Sequence, residues 1–129
     1  MRHRSFIGIG PVLVALLVAT AVLGSATIAV PAAGAAGKHI TIKNMAFTPQ
    51  TITVKAGTKV TWKNADGVAH NVASANSMQT TAALTGLFAS PTLSNGQSFS
   101  FTFRTKGTFY YECTFHASMA SMHGKVIVK

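Results

Sequence analysis

From Lys38 to Lys129 the chain predicts an all-β fold, a sandwich of short strands. Three observations carry that expectation. Apolar residues recur at every second position, turn residues separate those runs at short intervals, and no amphipathic helical stretch interrupts them. Ile40 and Ile42 alternate with Thr41 and Lys43 in the first strand. Ile52 and Val54 alternate with Thr51, Thr53 and Lys55, and Ala56-Gly57 turns the chain into Val60-Thr61-Trp62-Lys63. Asn64-Ala65-Asp66-Gly67 is the next turn, after which His70-Asn71-Val72 opens another strand. Ser94-Asn95-Gly96 precedes the run in which Phe99, Phe101 and Phe103 face one way and Ser98, Ser100 and Thr102 the other. Lys106-Gly107 leads into Tyr110-Tyr111, and Val126-Ile127-Val128 is the last strand. Seven or so half-buried strands at this spacing are the pattern of a two-sheet sandwich. Ala73 to Leu93 fits less well: it is uncharged and small, and the expectation there is a long connection with a short helix near Gln79 to Leu84.

Residues 1–35 read as an export segment. Arg2, His3 and Arg4 form a positive start, no charge occurs from Ser5 to Gly37, and residues 7–30 are dominated by Ile, Val, Leu, Ala and Gly. Ala33-Gly34-Ala35 fits the small-x-small site of a secretory signal peptide. The apolar run is also long enough to remain as an N-terminal membrane anchor. Gly8, Gly10, Pro11 and the Ala-rich exit favour cleavage. Either way the folded domain, residues 36–129, is expected outside the cytoplasm: periplasmic, extracellular or at the cell surface.

The full chain has a formal net charge of +9, and its acidic residues are Asp66 and Glu112 alone. Loss of Arg2 and Arg4 with the leader leaves nine Lys and Arg against those two acids, a net of +7. The basic residues are scattered from Lys38 to Lys129, without a dense run or aromatic interleaving, so the composition argues against nucleic-acid binding. Such a surface is simply well solvated, and it also attracts an acidic partner or an anionic surface over long range.

Cys113 is the single cysteine, so an internal disulfide is excluded. A secreted domain this small commonly uses disulfides, and a bound metal is the natural substitute. His116 follows Cys113 at Cys-x₂-His spacing, Met119 and Met122 lie in the same loop, and His70 ends a turn far upstream. Taken singly, the cysteine would be a small buried hydrophobe and each histidine unremarkable. Together they form a thiolate, two imidazoles and a thioether, and that set suits copper better than zinc. A Cys/His nucleophile is the rival, and no acid or amide beside the pair is placed to orient the base.

These residues sit among further motifs in a fixed order: Phe47-Thr48-Pro49, Ile52-Thr53-Val54-Lys55-Ala56-Gly57, Val60-Thr61-Trp62-Lys63-Asn64, His70-Asn71-Val72, Gly107-Thr108-Phe109-Tyr110-Tyr111, Cys113-x₂-His116 and Met122-His123-Gly124-Lys125-Val126. Over Lys38 to Lys129 the chain resembles the cupredoxins, the blue type 1 copper proteins that include plastocyanin, amicyanin and pseudoazurin. The resemblance implies a Greek-key β-sandwich, one copper ion, His70, Cys113 and His116 as trigonal ligands, and a methionine as axial ligand. It also implies a hydrogen bond from the Asn71 N–H to the Cys113 sulfur. Met122 is favoured as axial ligand for its register with Gly124-Lys125-Val126, and Met119 is the alternative at the shorter spacing from His116. Phe115 stands where many relatives have proline, which restores an N–H able to reach the sulfur. Glu112 stands where plastocyanins carry tyrosine. His39 and His123 are extra, and His123 is expected to be solvent-exposed and unligated.

The implied function is one-electron transfer, not catalysis, by a monomer that serves an acidic redox protein or a membrane-bound oxidase or reductase. Residues 7–30 would supply any membrane association. The alternative is copper storage or delivery, in which the ion itself is handed on. A catalytic copper centre would need further domains or histidine clusters.

Overall fold

The computed structural model describes Gly24 and residues 36–129, so the expected export segment lies outside the described residues. Two sheets form the fold. The four-stranded sheet has the order β2-β1-β4-β7 and the five-stranded sheet β3-β9-β8-β5-β6. The strands are β1 (Lys38–Lys43), β2 (Ala46–Thr48), β3 (Thr51–Val54), β4 (Thr58–Asn64), β5 (Ala73–Ala75), β6 (Leu84–Ala89), β7 (Ser98–Phe103), β8 (Gly107–Glu112) and β9 (His123–Val128). The chain passes repeatedly from one sheet to the other, which makes β1–β4 and β3–β9 parallel pairs and the remaining pairs antiparallel. This is the all-β sandwich that the alternation predicts.

The alternation becomes burial directly. In β4, Thr58, Val60, Trp62 and Asn64 are buried while Lys59 and Lys63 are exposed. Ile40, Ile42, Val60, Trp62, Val72, Phe103, Tyr111, Cys113, Met122 and Val126 fill the space between the sheets. Trp62 is the centre: its ring lies 5.2 Å from Tyr111, edge on, and 5.8 Å from Phe88. Aromatic pairs in such edge and tilted geometries add roughly 0.5–1.5 kcal/mol beyond the area they bury.

Two local features set the register near one end of the sandwich. The β1–β2 hairpin has a two-residue loop, Asn44-Met45, with φ of 53° and 57°. Positive φ at both loop residues suits the right-handed twist of the flanking strands, at a steric cost for a methionine. Gly124 faces Tyr111 directly across β8–β9, and a Cβ there would lie 2.3 Å from the tyrosine ring and hydroxyl. Only glycine allows Tyr111 to lie flat over β9.

The segment Ala73 to Leu93 departs from the expectation. Residues Gln79 to Leu84 form no helix; the segment instead holds β5 and β6 joined by a turn. The Asn76 side chain closes that turn by accepting from the Ala83 N–H (3.0 Å), and the Asn76 N–H donates to the Ala83 carbonyl (2.9 Å). β6 is an edge strand with Leu84 and Leu87 exposed, so it has no one-sided alternation to read. His70-Asn71-Val72 is likewise no strand: His70 makes a single bridge to Leu93, and the Ser90 hydroxyl takes the Val72 N–H at 2.8 Å.

Candidate metal centre

Two loops meet at one end of the sandwich: residues 65–72 after β4, and residues 113–122 between β8 and β9. The first is shaped by Asn64, buried at the end of β4. Its amide donates to the carbonyls of Val68 (2.9 Å) and Leu93 (2.7 Å), while its oxygen accepts the Asp66 N–H (2.8 Å). The backbone of His70 is then fixed by its reciprocal bridge to Leu93, at 3.1 and 2.7 Å. Asp66 turns inward, and its Oδ2 lies 2.8 Å from His70 Nε2. A carboxylate on Nε2 requires the hydrogen there, which leaves Nδ1 bare and available as a ligand atom.

The second loop is two 3₁₀ turns, Thr114–His116 and Ala120–Met122. Successive N–H groups hold it: His116 to the Cys113 carbonyl (3.1 Å), Met119 to His116 (2.9 Å), Met122 to Met119 (2.9 Å). The Cys113 N–H donates to the Met122 carbonyl at 3.0 Å, which places both ends of the loop side by side. Gln50 reaches in from before β3 and donates to the Ala120 and His123 carbonyls. The Asn71 side chain clips the two loops together: it accepts the Thr114 N–H and donates to the Thr114 hydroxyl, each at 2.8 Å.

The Cys113 sulfur consequently lies 3.7 Å from His70 Nδ1 and 3.5 Å from His116 Nδ1. One ligand atom from each of these residues falls within 4.8 Å of the others. Two ligands about 2.0 and 2.3 Å from a shared borderline-soft ion, at a trigonal angle, would be roughly 3.8 Å apart, so the spacing fits a metal site. Cys113 and His70 are fully buried, and His116 is half-buried. The Asn71 N–H lies 3.5 Å from the sulfur, the contact that the resemblance implies. The hydrogen bond expected from the Phe115 N–H to the sulfur does not form, and Phe115 is exposed.

The methionines separate by burial: Met122 is fully enclosed in the core cluster and Met119 is 38% exposed. His123 corrects the expectation of exposure. It is fully buried, with Nε2 2.7 Å from the Ala117 carbonyl. Its place after a loop gives no sign of this, because the burial comes from β8 and the loop folding over it. Asp66 is a further residue of the site that spacing alone does not reveal. Burial alone would raise its carboxyl, but N–H groups of Met45 and Asn44 and the His70 ring together hold it below its ordinary value of 3.8.

The sequence profile for copper binding proteins of the plastocyanin/azurin family matches residues 35–129. The chain belongs to that family. Its cofactor is copper, and the thiolate-imidazole donor set assembled here is of the kind that suits the ion. Amicyanin-alpha of Methylorubrum extorquens is 34% identical over 112 residues, 86% of this chain and 88% of that one. Amicyanin of Paracoccus denitrificans is 36% identical over 70% of this chain and 63% of its own. Among solved structures, a purple cupredoxin from Nitrosopumilus maritimus superposes with a TM-score of 0.64 at 30% identity, over 71% of this chain and 99% of that one. A copper-containing nitrite reductase from Thermus scotoductus shares the fold at 20% identity, and this chain covers 22% of it.

Proposed function

We propose that this cupredoxin is an exported one-electron carrier in which His70, Cys113 and His116 would hold the copper ion and Met122 would supply the further, weaker thioether donor. The observation that carries the reading is the donor set itself: one buried thiolate within 3.5–3.7 Å of two imidazole Nδ1 atoms. Two imidazoles and a thiolate in a plane with a weak thioether are the ligands of copper sites built for electron transfer. The full burial of Met122 supports its choice over the partly exposed Met119.

Copper, when bound, supplies a one-electron couple. The protein's residues supply rigidity and dryness. Each ligand is fixed by hydrogen bonds that do not involve the metal: Asp66 for His70, Asn71 and the Met122 carbonyl for Cys113, and the Cys113 carbonyl for the His116 backbone. A site so pre-organised changes little between oxidation states. His116 is the partly exposed member, so it presents the site to a partner. Val68, Phe115 and Met119, the exposed large apolar residues of the two loops, form the rim on which a partner would dock. The scattered lysines favour an acidic redox protein or membrane-bound oxidase or reductase. Export rests on residues 1–35, as signal peptide or anchor.

Met119 favours a second reading, copper delivery, because it places a thioether at the surface of the ligand loop. One experiment separates the two. An electron carrier cycles through reduction and oxidation with its copper retained in the presence of a chelator, and exchanges electrons with itself rapidly. A delivery protein loses copper to the chelator on reduction, and that result would overturn the carrier assignment.

A further inference from the structure

Behind the ligand loop lies a pair of buried ionisable side chains that the copper reading does not use. Glu112 ends β8 and His123 opens β9, and they face each other across the ladder as register partners. Their side chains are 6% and 0% exposed, and Glu112 Oε2 lies 3.5 Å from His123 Nδ1. Neither atom has a hydrogen-bond partner, so the two face each other at ion-pair range without a bond between them. On the far side of the ring, Nε2 lies 2.7 Å from the carbonyl of Ala117, the residue after His116.

The proton positions follow from this geometry. A carbonyl oxygen only accepts, so Nε2 carries a hydrogen. Nδ1 and Oε2 cannot both present bare lone pairs to each other in a buried site. Enclosing an acid beside a base is how a fold buries both without stranding either as an unpaired charge.

We propose that Glu112 and His123 are positioning residues: the Glu112 carboxyl, 3.5 Å from Nδ1, orients the His123 ring, and His123 clamps the Ala117 carbonyl so that the loop leaves His116 along one path. The inference rests on the copper reading for its purpose, though the clamp itself is a property of the metal-free chain. The rest of the loop agrees with this role. Gln50 holds the Ala120 carbonyl, and the Ser121 hydroxyl donates to the Met45 carbonyl at 2.7 Å. Ala117 follows the proposed ligand His116 directly, and the His123 ring is the side chain that holds its carbonyl. Its loss frees the half of the loop that sets the His116 ring.

The test uses the folded full domain in both metal states, with His123→Leu, His123→Gln and Glu112→Gln. Gln at 123 places an amide N–H where Nε2 was, and Gln at 112 keeps a donor toward Nδ1. In the copper-free protein, the Met119 and Met122 amides should exchange about tenfold faster in His123→Leu and stay near the wild-type rate in the two Gln variants. In the copper-loaded protein, His123→Leu should alter the visible spectrum and speed copper loss to a chelator, with rescue in His123→Gln. A lower melting temperature for His123→Leu with unchanged exchange and spectrum would overturn the proposal, leaving His123 a core residue only. If the leucine variant does not fold, histidine ¹⁵N spectra of the wild-type protein decide: a protonated Nε2 coupled to the Ala117 carbonyl is expected, and a bare Nε2 contradicts it. A wild-type protein that binds no copper would refute the copper reading, while the exchange and ¹⁵N results would still judge the clamp.

Discussion

Asp66 bears three contacts at once. Its carboxylate takes the N–H groups of Asn44 and Met45, in the positive-φ loop of the β1–β2 hairpin, and the Nε2 of His70. One side chain thus ties a strained turn to a proposed ligand. A negative charge beside a ligand favours the more positive state of the bound ion, so Asp66→Asn should raise the reduction potential, measured by redox titration. The sign with pH also follows. A carboxyl held low in the fold contributes stability above its unfolded value of 3.8, and loses it as pH falls through the lower folded value. Acid melts of the copper-free protein should therefore show a loss of stability below about pH 4 that Asp66→Asn lacks. Met122→Leu should change the visible spectrum and potential of the copper protein, and Met119→Leu should leave both near wild type. The sequence makes Cys113 and His116 legible because their spacing is local. It hides Asp66 and His123, whose roles depend on which distant backbone folds against them.

At the scale of elements, β8 and β9 do most to place the site. Tyr111 and Gly124 pair across them, and the register that brings them together also sets Glu112 against His123 and Cys113 beside Met122. Burial pushes the Tyr111 hydroxyl well above its ordinary range, so the ring remains neutral in the core. Gly124→Ala would drive a methyl into that ring. The expected cost is about 1–3 kcal/mol, read by chemical denaturation of the copper-free protein. A cost below about 0.5 kcal/mol, the range of an ordinary surface change, would show that the sheet yields easily here. β1, β4 and β7 are readable from alternation because one face of each is buried. β5 and β6 are not, since β5 is buried throughout and β6 is exposed at nearly every position. A period of two appears in a sequence only where a strand separates two environments.

For the whole molecule, the described domain of residues 36–129 has one free cysteine and no disulfide to limit its unfolded chain. Copper takes the place of that constraint if it binds the folded state alone. At free copper a thousandfold above its dissociation constant, binding adds about 4 kcal/mol, or a rise of roughly 15 °C or more in melting temperature for a domain this size. Calorimetry with and without copper should show that difference, and Cys113→Ser should abolish most of it. The central claim is that Cys113 is a copper-bound thiolate between His70 and His116. Titration of the purified protein with Cu(II), followed by visible absorption, tests it most directly. An intense thiolate-to-copper charge-transfer band that saturates at equimolar copper and is lost in Cys113→Ser is the predicted result. A protein that remains colourless and binds zinc as well as copper would contradict it.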